Sequence, residues 1–437
     1  MPPTSRAIVA ITGMLLAMAI LILAIAQPWS VDPAAEAGRV EARDPAPPED
    51  DASQSRPISP SASAAQGVIE VGPDSDLQAA IDGAPPGSVL RLHEGTYRPI
   101  ELRAALTIEA AGDGEVVISG AIDAWDAGIL VRNAPDVQIR GITVRGNTLG
   151  VYLLNSPGVI IEDNVVTDNA FGLEIHGETR GTIVRRNRIV DNDRFLDPSR
   201  SAGGINLFET SGSITITENS ILHNDSVGIE IYGMDDAVID SNTIAGSADA
   251  IETGTADGGD CRNNEITRNL IYQTSTRSEE RGIWLRCLSE SLVANNTIYG
   301  MDRFGIGVSE KGDHSGPIDD LRIVNNLIVG SPALWLSGGL PDSVVIDHNG
   351  ISPCGGETCN NPQPELVTVG DARFRDLESL QSSTPYMGAG TQADPAFVDP
   401  SSGDFRLQSE SPAIDRGTPI GLAYEGTAPD LGHVESE

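Results

Sequence analysis

Carboxylates, aromatic rings and an arginine recur at the same places in a short pattern that this chain repeats nine times. The pattern is a small residue, an apolar residue, a variable residue, a second apolar residue and a second variable residue. Its first variable position is filled in turn by Leu130, Tyr152, Glu174, Asn206, Glu230, Glu252, Trp284, Gly307 and Trp335. Its second is filled by Arg132, Leu154, His176, Phe208, Tyr232, Gly254, Arg286, Ser309 and Ser337. Rings of this kind stack on sugar faces, and the polar groups hydrogen-bond hydroxyl or uronate groups.

Glu230 and Glu252 are consecutive in this series, and like charges side by side are unfavourable. Three explanations fit the sequence. The two carboxylates bind Ca²⁺ together with Asn206 or Glu174, since this cation takes several oxygen ligands. Alternatively, they are the acid and base of a glycoside hydrolase, which lie about 5–5.5 Å apart in retaining enzymes. In the third case one carboxyl stays protonated or pairs with an arginine and does no chemistry.

The elements that position these residues follow from the spacing of the pattern. Successive copies begin 22, 22, 32, 24, 22, 32, 23 and 28 residues apart. A second ladder lies between them, in which each asparagine is followed two positions later by Val or Ile: Asn164, Asn187, Asn219, Asn242, Asn269, Asn296, Asn326 and Asn349. Short β-branched runs separated by Gly, Asn or Asp fill each unit. A unit of about 22 residues built in this way predicts one coil of a parallel β-helix.

The asparagine ladder is interpreted as structural. Each coil needs a corner residue that leaves the β region, and Asn tolerates left-handed backbone conformations. Stacked Asn side chains also hydrogen-bond along a ladder. We therefore assign these asparagines no part in chemistry.

The repeat resembles the right-handed parallel β-helix superfamily, the pectin-lyase-like fold, over residues 66–350. The segments Asp76–Ile81, Pro86–Leu92 and Glu94–Tyr97 resemble the entry to that fold in secreted bacterial members, including chondroitinase-B-like and alginate-lyase-like enzymes. The fold hosts lyases, hydrolases, epimerases and adhesins, so the resemblance specifies structure more than activity.

In the lyase relatives a calcium ion neutralises the substrate carboxylate, a lysine abstracts a proton and an arginine assists. The resemblance places Arg286 and Lys311 in the latter roles, with Lys311 as the base. The order of residues differs from that of the family, and the Glu-x-Glu pair is missing, which puts the lyase assignment in doubt.

The predicted fold class is all-β, a single-stranded right-handed parallel β-helix of about 10–12 coils with an N-terminal capping helix. A capping box at Ser75–Gln78 indicates the start of that helix. We divide the chain into a signal peptide or membrane anchor (1–26), a linker rich in Pro, Ala and acidic residues (27–66), the β-helix (67–390) and a C-terminal capping tail (391–437).

The charge of the chain restricts its partners. Against 63 acidic residues it has 28 basic ones, a net charge of -35, which excludes nucleic acid and anionic membrane surfaces as partners. Contact with a membrane is expected only through residues 1–26, if they are not cleaved. We expect a monomer outside the cytoplasm, either secreted, periplasmic or tethered to the cell surface.

Four cysteines agree with export. Cys354 and Cys359 are expected to close a small loop, while Cys261 and Cys287 either pair or lie in the core.

These observations predict recognition of an acidic or neutral polysaccharide along the face formed by the repeated pattern. Cleavage or epimerisation by a lyase or epimerase would rest on Glu230, Glu252 and Arg286, with Lys311 and His176 in support. The predicted substrate-binding residues are Tyr152, Glu174, Asn206, Tyr232, Trp284 and Trp335. Two rival hypotheses are a glycoside hydrolase and a non-catalytic binding or scaffold protein at the cell surface.

Overall fold

The computed structural model describes residues 67–436 apart from 123–126, 194–202, 256–257, 275–279, 311, 313, 331, 355–358 and 360–363. The predicted signal peptide or anchor and the predicted linker lie outside the described residues. Within the described part, no helix has the length and apolar character needed to cross a membrane. The division of the chain at residues 26, 66 and 390 stays a prediction.

Three sheets of twelve strands each run the length of the molecule. Numbered in chain order, sheet A contains β1 (Val68–Val71), β2 (Val89–Leu92), β5 (Thr107–Ala110), β8 (Gln138–Arg140), β11 (Ile160–Glu162), β14 (Thr182–Arg185), β17 (Ile214–Thr217), β20 (Ala237–Asp240), β23 (Glu265–Thr267), β27 (Leu292–Ala294), β31 (Arg322–Val324) and β34 (Val345–Asp347). Sheet B contains β3 (Gly95–Tyr97), β6 (Val116–Ser119), β9 (Thr143–Arg145), β12 (Val165–Thr167), β15 (Arg188–Val190), β18 (Ser220–Leu222), β21 (Thr243–Ala245), β24 (Leu270–Tyr272), β28 (Thr297–Met301), β32 (Leu327–Gly330), β35 (Gly350–Pro353) and β38 (Thr391–Gln392). Sheet C contains β4 (Ile100–Leu102), β7 (Ala127–Arg132), β10 (Leu149–Leu154), β13 (Phe171–Glu178), β16 (Gly203–Ser211), β19 (Val227–Tyr232), β22 (Asp249–Gly254), β25 (Arg281–Leu285), β29 (Phe304–Val308), β33 (Leu334–Leu336), β36 (Val367–Val369) and β37 (Ala372–Phe374).

The chain visits sheets A, B and C in turn and then starts the next coil. Complete coils begin at β2, β5, β8, β11, β14, β17, β20, β23, β27, β31 and β34, which makes eleven. Within these three sheets, neighbouring strands pair in parallel except β36 with β37, where sheet C ends in a hairpin. The predicted β-helix of 10–12 coils is therefore confirmed. Two small sheets lie outside this stack, one of β26 (Leu288–Ser289) with β30 (Ile318–Asp319), the other of β39 (Phe397–Asp399) with β40 (Asp404–Leu407).

The core is a column of stacked aliphatic side chains. The first apolar position of the repeated pattern is at most 1% exposed in every copy: Ile129, Val151, Leu173, Ile205, Ile229, Ile251, Ile283, Ile306 and Leu334. Because each strand pairs in register with its copy one coil later, these residues stack directly on one another. β-branched side chains suit such a pleated, buried surface.

The predicted asparagine ladder lies at the corner between sheets A and B. Each buried asparagine accepts hydrogen bonds at Oδ1 from the next coil below, as Asn219 does from the backbone N and Nδ2 of Asn187 at 2.9 and 3.0 Å. The left-handed residue is not the asparagine, as we expected, but the residue before it, for example Asp163 and Ser241 with φ of 58° and 55°. The asparagine itself stays free to point inwards and bond along the stack.

A second asparagine ladder, which the sequence analysis missed, lies at the corner between sheets B and C. Asn147 donates to Asn169 at 3.0 Å, and the series continues through Asn192 to Asn224. All four residues are fully buried. The two corners on either side of sheet B are therefore both stabilised by a ladder of buried asparagines.

Both ends of the core are covered. At the N-terminal end, helix α1 (Leu77–Gly83) buries Leu77 and Ile81 over the first coil. Its N-cap is Asp76, which accepts a bond from Ala79 N at 3.1 Å, so the predicted capping box that starts at Ser75 is wrong. Gln78 instead bonds the backbone of Glu101.

At the C-terminal end, helix α2 (Leu377–Ser383) packs Leu380 against the core. Met387 joins the same core and donates from its backbone N to Ile346 O at 2.7 Å. The later part of the tail runs back along the outside of sheet B, where Phe405 lies 5.2 Å from both Tyr272 and Tyr299. The cap at this end is thus supplied by residues before 391, and much of 391–437 covers a side of the stack.

Candidate functional site

Sheet C brings the predicted residues into one column. Residues in register on successive strands are Leu130, Tyr152, Glu174, Asn206, Glu230, Glu252, Trp284, Gly307 and Trp335. Strands in a sheet lie about 4.8 Å apart, so residues 22–32 positions apart in sequence become neighbours in this column. A second column beside it contains Arg132, Leu154, His176, Phe208, Tyr232 and Gly254. Arg286 directly follows β25.

Much of this face is less open than the alternation predicts. Tyr152, Glu174, Asn206 and Glu252 are buried, whereas Glu230, Trp284 and Trp335 are partly exposed. One cause is the insert after β29, since the ring of His314 lies 5.3 Å from that of Tyr232. A second is that neighbouring side chains on the face bind each other.

Glu174 forms the first group of such contacts. Its carboxylate accepts from Asn206 Nδ2 at 2.6 Å and lies 3.1 Å from His176 Nε2. The predicted substrate ligands Glu174 and Asn206 therefore satisfy each other. His176 is left partly exposed, with its imidazole tied to a buried carboxylate.

Glu252, Arg286 and Tyr232 form the second group. Arg286 Nη2 binds both Glu252 Oε1 and the hydroxyl of Tyr232, and Tyr232 also lies 3.4 Å from Glu252. All three residues are buried. Desolvation raises the pKa of Glu252 to about 7, against the opposing effect of Arg286. Desolvation and nearby carboxylates also raise the pKa of Tyr232.

Trp284 lies between this group and a second ion pair. The guanidinium carbons of Arg281 and Arg286 are 4.6 and 4.5 Å from the centre of its ring. Arg281 in turn binds both oxygens of Asp249 at 2.7 and 2.9 Å. The ring of Trp284 therefore keeps two arginines beside their carboxylates by cation–π contact. The sequence predicted only stacking of this ring on sugar.

Glu230 differs from its neighbours on the face. It is partly exposed, and the structure gives its carboxyl no hydrogen bond or ion pair to any described residue. Burial, and then the charges of Glu252 and Glu174, raise its pKa to about 8. Glu230 is thus the one carboxyl of the described column that is accessible, unpaired and largely protonated near neutral pH.

Aromatic rings extend away from Glu230 in both directions. On one side, rings of Tyr152, His176, Phe208 and Tyr232 follow one another at 5.4–5.9 Å between centres. On the other side, Phe304 stacks on Trp335 at 5.8 Å and meets Trp284 at 6.3 Å.

Phe304 was missed by the sequence analysis. A β-carbon on Gly307 would lie 2.5 Å from its ring, so the glycine leaves the gap in the column that the ring fills. A glycine between two tryptophans in the column was the signal that could have revealed it.

Two inserts form a wall beside the second column. A disulfide joins Cys261, on the insert after β22, to Cys287, which follows Arg286. The insert after β29 binds at the same place, because Gly316 N donates to Arg286 O at 2.8 Å and Thr255 N donates to His314 O at 2.9 Å. The predicted Cys354–Cys359 disulfide is also present. Lys311, predicted as a catalytic base, lies outside the described residues.

Metal binding has no geometric support in the part of the chain that the structure describes. No group of three or more His, Cys, Asp or Glu side chains is spaced to hold an ion there. Of the predicted calcium ligands Asn206, Glu230 and Glu252, the first binds Glu174 and the last binds Arg286.

Comparison with known proteins agrees with this architecture. Residues 94–275 match the family described as periplasmic copper-binding protein (NosD), and residues 203–361 match the right handed beta helix region. The pectate lyase Pel9A superposes with a TM-score of 0.57 at 17% identity, covering 85% of this chain and 96% of its own. The chain is a right-handed parallel β-helix protein.

Other solved β-helix structures are similar at low identity. The Dettilon tailspike protein has a TM-score of 0.50 at 15% identity, covering 69% of this chain and 68% of its own. An alginate lyase from Paenibacillus sp. str. FPU-7 has a TM-score of 0.40 at 17% identity, covering 57% and 99%. No curated protein sequence matches this β-helix. Identities of this size establish the fold alone.

The residues of this β-helix do not fit the copper that one family description implies. Copper in proteins is bound by thiolate, thioether and imidazole groups. All four cysteines form disulfides, and Met234, Met301 and Met387 are buried in the core. His176, the histidine of the sheet-C column, faces a carboxylate. We therefore derive no step through copper.

Proposed function

We propose that this β-helix acts outside the cytoplasm and binds an extended polysaccharide without carboxylate groups along the face of sheet C. Its family match is described as periplasmic, and the pectate lyase with the same fold acts on a polysaccharide by its name. A stack of parallel strands presents repeated positions at intervals of about 4.8 Å, which suits a polymer better than a single small ligand.

One observation supports a substrate without carboxylates. Both described arginines near the centre of the sheet-C columns already have an acidic partner: Arg281 has Asp249 and Arg286 has Glu252. The imidazole of His176 lies against Glu174. A uronate would need such a group, and placing its charge beside Glu174, Glu252 and Asp249 would be costly. Neutral sugars need only hydroxyl partners and aromatic surface, which Glu230, Phe208 and Trp335 offer.

A glycan array tests this proposal. The full-length protein should retain neutral polysaccharides, with or without Ca²⁺, and uronate polymers should be retained weakly. Phe208→Ala and Trp335→Ala should each reduce retention about two- to tenfold, because ring stacking contributes about 0.5–1.5 kcal/mol beyond the buried area. Tyr424→Ala is the matched control, since Tyr424 is 40% exposed on the tail. Retention that is equal in all variants would contradict the assignment of sheet C.

A second candidate function is hydrolysis of the bound glycan. Its support is the contrast between Glu230, which is unpaired and has a pKa of about 8, and Glu252, which binds Arg286 and has a pKa of about 7. Two carboxyls that differ in this way can act as general acid and as nucleophile or base. Glu230 and Glu252 are on adjacent strands, and the distance between such strands, about 4.8 Å, is close to the distance of about 5–5.5 Å between the two carboxyl groups of retaining glycosidases.

The lyase or epimerase hypothesis has weaker support than hydrolysis, because Arg286 binds Glu252 and Tyr232 rather than facing solvent. Release of reducing ends, abolished in Glu230→Gln while binding persists, would support hydrolysis. Unsaturated products that absorb in the ultraviolet would support a lyase. Binding without either product would leave a carbohydrate-binding protein.

A further inference from the structure

The carboxyls around Glu230 share a feature that Glu230 lacks. Glu174 binds Asn206 and His176, Glu252 binds Arg286, and Asp249 binds Arg281. Each of these acids therefore has a hydrogen-bond or ion-pair partner within the protein. Glu230, in the middle of them, is the exception among the described residues, and it is also the acid that solvent reaches.

The surroundings of Glu230 oppose its ionisation in the free protein. Glu252 lies in register with it on β22, Glu174 lies two strands away on β13, and Asp249 adds a further negative charge from β22. Arg286 is the cation that acts on Glu230, but its Nη2 is committed to Glu252 and Tyr232. A bound cation at Glu230 would remove this imbalance.

We propose that the polysaccharide bound on sheet C carries free amino groups, and that Glu230 binds the ammonium group of one amino sugar. This inference rests on the proposed function and narrows its substrate class. An ammonium group has three donors and no acceptor, so it complements a carboxylate that has no donor of its own. The partly exposed ring of Phe208, on the neighbouring strand and in the adjacent column, adds an aromatic surface of the kind that attracts cations.

The charge of the whole molecule favours the same class of ligand. A net charge of -35 attracts a polycation over long range and raises its association rate, in a way that salt suppresses. This attraction is not specific for any one face. The specific contribution comes from the carboxyl of Glu230, which binding would convert from its protonated to its ionised form.

A titration of the full-length protein at constant ionic strength tests the inference. The ligands are β-linked glucosamine oligosaccharide, its fully N-acetylated counterpart of the same length, and neutral glucan, mannan and xylan oligosaccharides. The proteins are the wild type, Glu230→Gln, and Glu265→Gln as a control that removes one exposed carboxylate from sheet A. We expect the wild type and Glu265→Gln to bind the free amine at least tenfold more tightly than the acetylated form. Glu230→Gln should lose most of this preference and keep only the part that the net charge of the protein supplies.

A second measurement does not depend on any variant. At about pH 5 the amino groups of the ligand are already ammonium groups, so their binding should release the proton of the Glu230 carboxyl to the buffer. This release is seen as a heat that changes with the ionisation enthalpy of the buffer. The acetylated oligosaccharide should release none. Equal affinity of the wild type for the amine and acetylated ligands would overturn the inference and leave the proposed function intact. Absence of binding to all five ligands would overturn both. Unchanged preference for the amine in Glu230→Gln would assign it to the general charge of the protein and overturn the role of Glu230.

Discussion

Glu230 and Glu252 lie opposite each other on adjacent strands of sheet C, yet Arg286 binds Glu252 and leaves Glu230 without an ion pair among the described residues. Two acids that are equivalent in the repeated pattern are therefore made different by one residue that follows the next strand. The first two predictions concern this asymmetry.

Replacing Glu230 by Gln should change how stability depends on pH. The pKa of Glu230 in the folded protein is raised to about 8 from 4.5, so the folded state binds more protons than the unfolded state between these values. Stability from this group is fully present near pH 4.5 and falls as the pH rises towards 8. Glu230→Gln should match the wild type near pH 4.5 and exceed it by up to about 5 kcal/mol above pH 8.

Urea unfolding of both proteins from pH 4 to 9 measures this difference. Glu265→Gln serves as the control, because Glu265 is exposed and should give a curve that runs parallel to that of the wild type. A parallel curve for Glu230→Gln as well would show that the surroundings of Glu230 do not raise its pKa.

Arg286→Ala should destabilise the protein strongly. Removing one partner of a buried ion pair costs about 3–5 kcal/mol, because the other charge stays buried without compensation. The double variant with Glu252→Gln should recover much of this loss in a double-mutant cycle. Arg91→Ala is the control, since Arg91 and its two partners, Glu70 and Glu109, all keep part of their side chains in solvent, and exposed pairs contribute about 0.2–1 kcal/mol each. Equal losses for Arg286 and Arg91 would refute the buried network.

Gly307→Ala should displace the ring of Phe304. The added carbon would lie 2.5 Å from that ring, and overpacking of this kind costs about 1–3 kcal/mol. Tryptophan fluorescence should change as well, because Phe304 contacts both Trp284 and Trp335. Gly72→Ala, where nothing lies within 4 Å, should be close to neutral. A fluorescence spectrum and melting temperature that stay unchanged in Gly307→Ala would be inconsistent with the stacked arrangement.

Asn219→Ala should cost about 1–3 kcal/mol of unfolding free energy, because the buried backbone N of Asn187 loses its acceptor. The side-chain amide of Asn187 would keep its bonds to Ile161 O and Arg185 O. The control is Thr217→Ala on the same coil, where the side chain is partly exposed. Chemical denaturation of both variants provides the comparison. A similar small loss in both would show that the ladder is not a main support of the corner.

The periodic part of the molecule could be predicted from sequence, because strand pairing in a β-helix follows directly from the spacing of equivalent residues. The column from Tyr152 to Trp335 and the ladder from Asn164 to Asn349 are examples. The side-chain partners could not be predicted in this way. Whether Arg286 faces solvent or Glu252 depends on side-chain torsions and on inserts that follow no period.

Two further differences have local causes. The left-handed corner residue precedes each asparagine, because the asparagine must turn inwards to reach the next coil. Tyr232 and Glu252 are buried partly because His314 comes from an insert 82 residues beyond Tyr232 in sequence. The repeated sequence pattern, which spans a few residues in each coil, does not predict contacts with residues of a distant insert.

The central claim, that sheet C is the face that binds polysaccharide, is tested most directly by a crystal structure of the full-length protein with the oligosaccharide that binds most tightly in solution. We expect sugar rings ordered across β16, β19 and β22, with a polar atom of one sugar within hydrogen-bond distance of the Glu230 carboxyl and another ring against Phe208. Ordered sugar on sheet A or sheet B, with the face of sheet C empty, would contradict the account.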